Sequence, residues 1–432
     1  MLAKMKKSSL VKSSSIYTIT NMINASIPFL MMPILTRHLT PVDYGIVSMF
    51  NVLVGIIYPF LGVNIHLALT RQYYEKDIKV PVYIVNGLYV LFMTIIICSA
   101  SIYLLRQPIS DMTSFPVEWL WSFIVVSAFN VIFQIVQTLL QVRDKPLFFG
   151  GYQILQSLLN VGLSIWLVVV MGAGWEGRIE GQVIASLICG LIGIIFLWKS
   201  GFLKFRYEKK YIDNILSLGL PLIPFGLGGF LLTMSDRVFI TNMVGLDETG
   251  LYTVGYQFGM IINLIQMSFN KAWLPWLFRK LKENVKDEKI KIVKITYLYF
   301  GVLMSLAILL SFSAPWFMNI FLGEGFSASS QFVLWIAIGY AFNGMQKMVV
   351  SYIQFEKRNY LLSLITFIIL GLNLPLNYYL IKSNGAVGAA QATTISYFII
   401  FLLTWYISTK VYKMPWGYFM KKSETFGKSI EK

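Results

Sequence analysis

Acidic residues are scarce in this sequence: 20 Asp and Glu against 36 Lys and Arg in 432 residues. Charged residues of both signs reach only 13%, about half the share of an ordinary globular protein. Hydrophobic residues make up 56% and the mean hydropathy is +0.67. No folded interior of this length hides so much apolar surface from water, so lipid is the solvent for most of it. A soluble enzyme, a nucleic-acid-binding domain and a secreted disulfide scaffold are excluded together. Cysteine occurs twice, as Cys98 and Cys189, both inside apolar stretches where they read as small core residues. No HExxH or CxxC pair is present. Gly427-Lys428-Ser429 imitates the end of a P-loop, but Lys422 stands where its first glycine belongs. ATP hydrolysis, metal catalysis and a resident cofactor are therefore not expected.

Long apolar runs are what the sequence does have. A spanning helix needs about 20 mostly apolar residues, and twelve such runs appear: 13–35, 45–69, 80–105, 117–141, 147–172, 181–199, 214–243, 249–273, 291–315, 328–353, 360–381 and 386–408. The runs are continuous rather than alternating, which predicts helices and not barrel strands. The expected fold is an all-α polytopic membrane protein. Thirty of the 36 basic residues fall in the N-terminal tail, the even-numbered connections and the C-terminal tail. By the positive-inside rule both termini are cytoplasmic. The net charge of +16 is then mostly a topology signal with some attraction to anionic lipid, and nucleic acid is not needed to explain it. Lys4, Lys6, Lys7 and Lys12 precede the first span without a small-residue cleavage site after it, so that span is expected to be retained.

The chain also repeats itself. A shift of 213 places Ala128-Phe129-Asn130 on Ala341-Phe342-Asn343 and Leu159-Asn160 on Leu372-Asn373. A shift of 205 places Leu35-Thr36 on Ile240-Thr241, Asp43 on Glu248 and Gly45 on Gly250, and 208 places Gly177 on Gly385. Six crossings return the chain to its starting side, so the two copies are parallel six-helix repeats about an axis along the membrane normal. The expected organisation is a cytoplasmic tail (1–12), an N-lobe (13–199), a basic linker (200–213), a C-lobe (214–408) and a basic tail (409–432). Two such lobes facing a central cleft suit alternating access.

Polar groups inside spans are costly unless they face protein or water. Ser127, Asn130, Gln134, Gln137 and Gln141 recur at helical spacing on the fourth span, and Gln153, Gln156, Asn160 and Ser164 on the fifth. Asn21 and Asn24 lie on the first, Asn263, Gln266 and Asn270 on the eighth, and Asn343 and Lys347 on the tenth. Single amides often serve as interhelical glue; whole stripes on several helices point to a wet cavity. Tyr58, Tyr256 and Trp335 are candidate stacking surfaces there. Lys347 either snorkels to the cytoplasmic face or faces an anion, and Asp236–Arg237 is either a self-paired couple or an arginine open to phosphate. His66 falls on Lys271 at the 205 shift, two basic positions for a cytoplasmic mouth, and Arg37 follows the first span. Asp236 is the only acid well inside any span. Prolines 28, 33, 221, 224 and 375 mark spans that bend.

Three junctions carry a family resemblance. Leu35-Thr36-Arg37-His38-Leu39-Thr40-Pro41-Val42-Asp43-Tyr44-Gly45 resembles the L-T-R-x-L-x-P-x-x-Y-G junction after the first helix of polysaccharide-transport proteins. Ser235-Asp236-Arg237, then Gly245 and Thr249-Gly250-Leu251-Tyr252, resembles their junction after helix seven, and Gly385-Ala386-Val387-Gly388-Ala389-Ala390 their entry to helix twelve. The family is the O-antigen and capsule (Wzx-type) oligosaccharide flippases of the multidrug/oligosaccharidyl-lipid/polysaccharide exporter superfamily. The resemblance implies two six-helix lobes and a substrate of undecaprenyl diphosphate carrying a short oligosaccharide, turned from the cytoplasmic to the outer leaflet of the bacterial cell membrane. It also implies neighbouring polymerase and chain-length machinery, and leaves the coupling ion, H+ or Na+, open; a monomer is expected. Under that reading Arg237, Lys347, Asp236, Lys271, His66 and Arg37 surround the diphosphate. Asn21, Asn24, Asn130, Gln134, Gln137, Asn160, Asn263, Gln266 and Asn343 meet the sugars. A cation-coupled multidrug exporter of the same fold and a lipid II flippase are the alternatives, although the latter usually carries two further helices. A major-facilitator carrier also has two six-helix halves, but its Gly-x-x-x-Asp-Arg-x-Gly-like loop is absent.

Overall fold

A computed structural model describes residues 16, 20–24, 26, 27, 29–358 and 360–417. The N-terminal tail 1–12, the start of the first span, Pro28 and the tail beyond 417 lie outside them. The regular structure among the described residues is helical: α1 (Thr20–Leu35), α2 (Pro41–Gly62), α3 (Ile65–Gln72), α4 (Val80–Leu104), α5 (Arg106–Thr113), α6 (Leu120–Val142), α7 (Pro146–Ile165) and α8 (Gly174–Lys199). The order continues with α9 (Lys209–Gly219), α10 (Leu222–Met243), α11 (Leu246–Gly259), α12 (Ile261–Glu283), α13 (Lys286–Phe321), α14 (Ser330–Phe355), α15 (Tyr360–Asn384) and α16 (Ala386–Val411). Ten helical stretches are long and apolar enough to cross a membrane, and α1 is a shorter apolar helix.

Three expected spans are divided by the backbone, one of them (214–243) at Leu220–Pro221 between α9 and α10. The run 45–69 breaks where Val63 and Asn64 take left-handed φ angles of 40° and 48°, with the Asn64 side-chain amide donating to the Gly219 carbonyl at 3.2 Å. The run 249–273 is interrupted at Met260, between α11 and α12. In the other direction, α8 begins at Gly174, seven residues before its apolar run, because the backbone ladder does not stop at charged residues. Glu176 in its first turn favours the positive end of the helix dipole.

The start of α2 is set locally. Thr40 accepts from the Asp43 amide at 3.1 Å, and Asp43 Oδ2 accepts from the Thr40 amide at 2.9 Å, a reciprocal capping box ahead of Pro41. Replacing Thr40 by Ala is expected to cost about 1 kcal/mol, read as a lower thermal midpoint of the detergent-solubilised protein.

The contacts divide the chain into two compact units: residues 1–254 with 321–327, and residues 255–320 with 328–432. The first unit packs around α6, whose Ile135 and Leu139 are fully buried with Phe50, Tyr83, Phe115 and Cys189. Both cysteines are free thiols. The second packs α14 against α16 around Val349, Ala341 and Ala389. Residues beyond α16 fold back over it, with the Tyr297 hydroxyl donating to the Trp416 carbonyl at 3.1 Å and Trp416 edge-on to Trp405. Lipid gives helices no hydrophobic reason to associate, so this packing rests on shape, small residues and polar links.

Within the first unit, α2 crosses α11 through a contact that repeats itself. A Cβ on Gly45 would lie 2.1 Å from the Leu246 carbonyl oxygen, and one on Gly250 would lie 1.9 Å from that of Pro41. Positions 41 and 246, and 45 and 250, are each separated by the 205 residues of the sequence repeat. Ser48 and Thr253 are also 205 apart, and their hydroxyl oxygens meet at 2.8 Å. Equivalent residues of the two repeats thus touch across their own pseudo-twofold. The segment 322–326 lies over the same end: the Gly323 amide donates to Thr36 Oγ1 at 3.3 Å, and the buried Phe326 meets Tyr44 edge-on at 5.6 Å.

Candidate functional site

The longest polar seam of the first unit runs along α7. Gln153 Nε2 donates to Asn21 Oδ1 of α1 at 3.4 Å, Ser157 donates to Asn24 Oδ1, and Gln156 Nε2 donates to Asn130 Oδ1 of α6 at 3.1 Å. One turn further on, Asn160 Oδ1 and Ser164 Oγ both accept from Arg178 Nη1 of α8, at 2.7 and 2.5 Å. From Gln153 to Ser164 the seam covers about 16 Å of helix. Four of the expected sugar contacts, Asn21, Asn24, Asn130 and Asn160, therefore share one line. Their helical spacing produces it: 153, 156/157, 160 and 164 are successive turns of one face. Gln134 is half-buried on α6. Gln137 is buried, donates to the Phe149 carbonyl at 3.4 Å, and leaves its Oε1 without a partner among the described residues.

The second unit has a more compact counterpart. Gln266, fully buried on α12, donates to Asn263 Oδ1 at 2.7 Å and to Asn343 Oδ1 of α14 at 3.0 Å. All three are among the candidate sugar contacts. The buried Gln266 Oε1 and Asn270 Oδ1 have no protein partner among the described residues. An unsatisfied buried amide oxygen is costly unless water or a ligand hydroxyl completes it. Lys347, one turn along α14 from Asn343, is half-buried and has no ion-pair partner within 4.0 Å among the described residues. Lys271 is exposed on α12. Tyr256, an expected stacking surface, instead bonds Tyr340 hydroxyl to hydroxyl at 2.7 Å.

The remaining ionisable residues lie in the first unit. Asp236 and Arg237 are closed on each other: Arg237 Nη1 lies 3.0 Å from Asp236 Oδ1, with both side chains at most 4% exposed. Tyr252 of α11 donates to Asp236 Oδ2, Arg237 Nη1 donates to the Thr233 carbonyl at 3.0 Å, and the guanidinium lies 5.4 Å from the Tyr252 ring centre. Of the two readings of this couple, the self-paired one describes the structure. Arg37 is exposed and, with residues 322–326, lines a cavity of about 520 Å³. His66 is half-buried on α3, apart from the seam.

Arg178 is the site residue the sequence did not suggest. A scan for apolar runs starts α8 after its last charge and so leaves Arg178 in a connection. Extending the helix back through Glu176 and Gly177 puts it on a turn facing α7. That extension was the available signal.

The profile of the family described as "Polysaccharide biosynthesis protein" matches residues 10–281. The chain is 22% identical over 428 residues to a capsular polysaccharide biosynthesis protein of Staphylococcus aureus, covering 93% of this chain and 100% of the relative. It is 23% identical over 405 residues to a probable low-salt glycan biosynthesis flippase of Haloferax volcanii, covering 90% and 81%. The solved structure of the lipid II flippase MurJ in its inward closed conformation superposes with a TM-score of 0.74 over 91% of this chain and 87% of the other, at 15% identity, a likeness of fold.

Proposed function

The chain belongs to the polysaccharide biosynthesis protein family, and from that premise we propose that it is a flippase for polyprenyl-diphosphate-linked oligosaccharide, carrying its cargo from the cytoplasmic to the outer leaflet. The observation that carries the reading is the amide seam of α7 with its counterpart at Gln266. Both place neutral donors and acceptors, suited to sugar hydroxyls, inside helices of a multi-pass membrane protein. The names of the two curated relatives, one capsular and one a glycan flippase, point the same way.

The polyprenyl tail stays in lipid while the diphosphate and sugars cross in a wet cavity. A bare diphosphate in hydrocarbon faces an idealised penalty on the order of 20 kcal/mol per charge, and basic groups in a shielded cavity replace the lost hydration. Lys347 is the foremost of these, with Lys271, His66 and Arg37 as further basic candidates. Arg237 keeps Asp236 as its counter-ion in the arrangement described. No residue acts as a catalyst: the contacts are weak and distributed, so that the cargo is released. Both termini are cytoplasmic in this scheme.

The test is leaflet exchange in proteoliposomes of a fluorescent undecaprenyl-diphosphate oligosaccharide, scored by protection from an impermeant quencher. Protein-dependent exchange is expected, slowed at least about ten-fold by Lys347→Ala, the equivalent of one charge-assisted contact. Exchange unaffected by Lys347→Ala would remove Lys347 from the path. No exchange with any glycan, alongside cation-driven export of a small molecule, would move the chain to the drug-exporter branch.

A further inference from the structure

We propose that Arg178 is a contact for the glycan itself: it receives a carboxylate or phosphate carried on a sugar, so that the preferred cargo is an acidic oligosaccharide. The inference rests on the flippase reading above and names the substrate class within it.

A guanidinium packed between helices is commonly paired with a carboxylate, as Asp236 keeps Arg237. Arg178 has no carboxylate within 4.0 Å among the described residues. Its Nη1 is shared by two neutral acceptors, Asn160 Oδ1 and Ser164 Oγ. These orient the fork without neutralising it. Nε and Nη2 have no acceptor among the described residues. A planar fork fixed through one nitrogen, with its other donors lacking an acceptor among the described residues, is the geometry that takes a carboxylate or phosphate side-on.

The backbone is built to hold it there. Gly181, one turn beyond Arg178, lets α8 reach Ser164: a Cβ at 181 would lie 2.7 Å from Ser164 Oγ and 2.8 Å from its amide nitrogen. Immediately after α7 the chain widens into a π-helical turn, Trp166–Val170, a form found mostly as single turns at functional sites. Arg178 also ends the amide seam, so a sugar chain lying along Gln153, Gln156 and Asn160 presents one residue to it. A guanidinium serving only lipid headgroups would reach outward; this one turns inward to α7.

The full chain is reconstituted with two undecaprenyl-diphosphate trisaccharides that differ only in the last sugar, glucuronic acid or glucose. Wild type is expected to move the acidic lipid about ten-fold faster, the worth of one charge-assisted contact. Arg178→Gln is expected to abolish the preference, the ratio of acidic to neutral rate falling to about one whatever the absolute rates, and Arg178→Lys to keep an intermediate ratio. Equal wild-type rates for the two lipids overturn the proposal without any variant having to fold. So does an Arg178→Gln variant that slows both lipids alike, which assigns Arg178 to the diphosphate, to headgroups or to packing. A wild type that moves neither lipid overturns the flippase reading and this inference with it.

Discussion

Oxidation of a Ser48→Cys/Thr253→Cys pair is expected to abolish transport, and reduction to restore it. The two hydroxyl oxygens lie 2.8 Å apart on α2 and α11, and the flanking backbones are in contact through Gly45 and Gly250. If the proposed transport runs by alternating access, this crossing has to part to release cargo on the side that the positive-inside rule assigns to the outside. A covalent bond there removes that state from the cycle. Cys98 and Cys189 are free thiols on other elements, so the same treatment of the parent chain serves as control. Transport that continues with the bond fully formed would show that the cargo leaves elsewhere. The native contact offers an independent check. Gly250→Val would drive a Cβ into the Pro41 carbonyl, 1.9 Å away and part of the backbone, and is expected to hold the crossing open, read as increased labelling of a cysteine at position 48.

Asp236→Asn is expected to be the most destabilising single substitution among the polar residues described. It leaves Arg237 buried without its carboxylate, and breaking one side of a buried pair costs about 3–5 kcal/mol. Asp236→Leu combined with Arg237→Met is expected to recover most of the loss, because replacing both partners removes the uncompensated charge. Thermal midpoints of the purified single and double variants decide this. A single variant as stable as the parent that loses cation dependence of transport would instead make Asp236 a coupling group.

Composition and periodicity carried much of the architecture into view. Apolar runs marked most membrane helices, and amide spacing on the fourth and fifth spans anticipated the face on which Asn130, Gln156 and Asn160 meet their partners. The breaks at Val63–Asn64 and Met260 were hidden because each depends on a few backbone angles inside otherwise apolar runs. The state of Asp236 and Arg237 was hidden for another reason. Neighbours at i and i+1 do not face one another on a helix, and the pair is held by surrounding groups: the Thr233 carbonyl, one turn back on the same helix, holds the arginine and Tyr252, on another helix, holds the acid. Arg178 was masked by the convention that charge ends a span, whereas the helix runs through it.

The crossing of α2 and α11 bears on ancestry. Gly45 meets Leu246 as Gly250 meets Pro41, and Ser48 meets Thr253, its own counterpart. A patch that is complementary to itself is the signature of an isologous, twofold dimer. On the reading of the chain as two fused repeats, an ancestor carrying this patch would have closed on a second copy of itself, and each mutation there would have altered the joint twice. Fusion would free the two sides to diverge, so that position 41 is a proline where its counterpart 246 is a leucine, and a serine faces a threonine. Asymmetric cargo requires that freedom, since a homodimer can offer only the same wall twice.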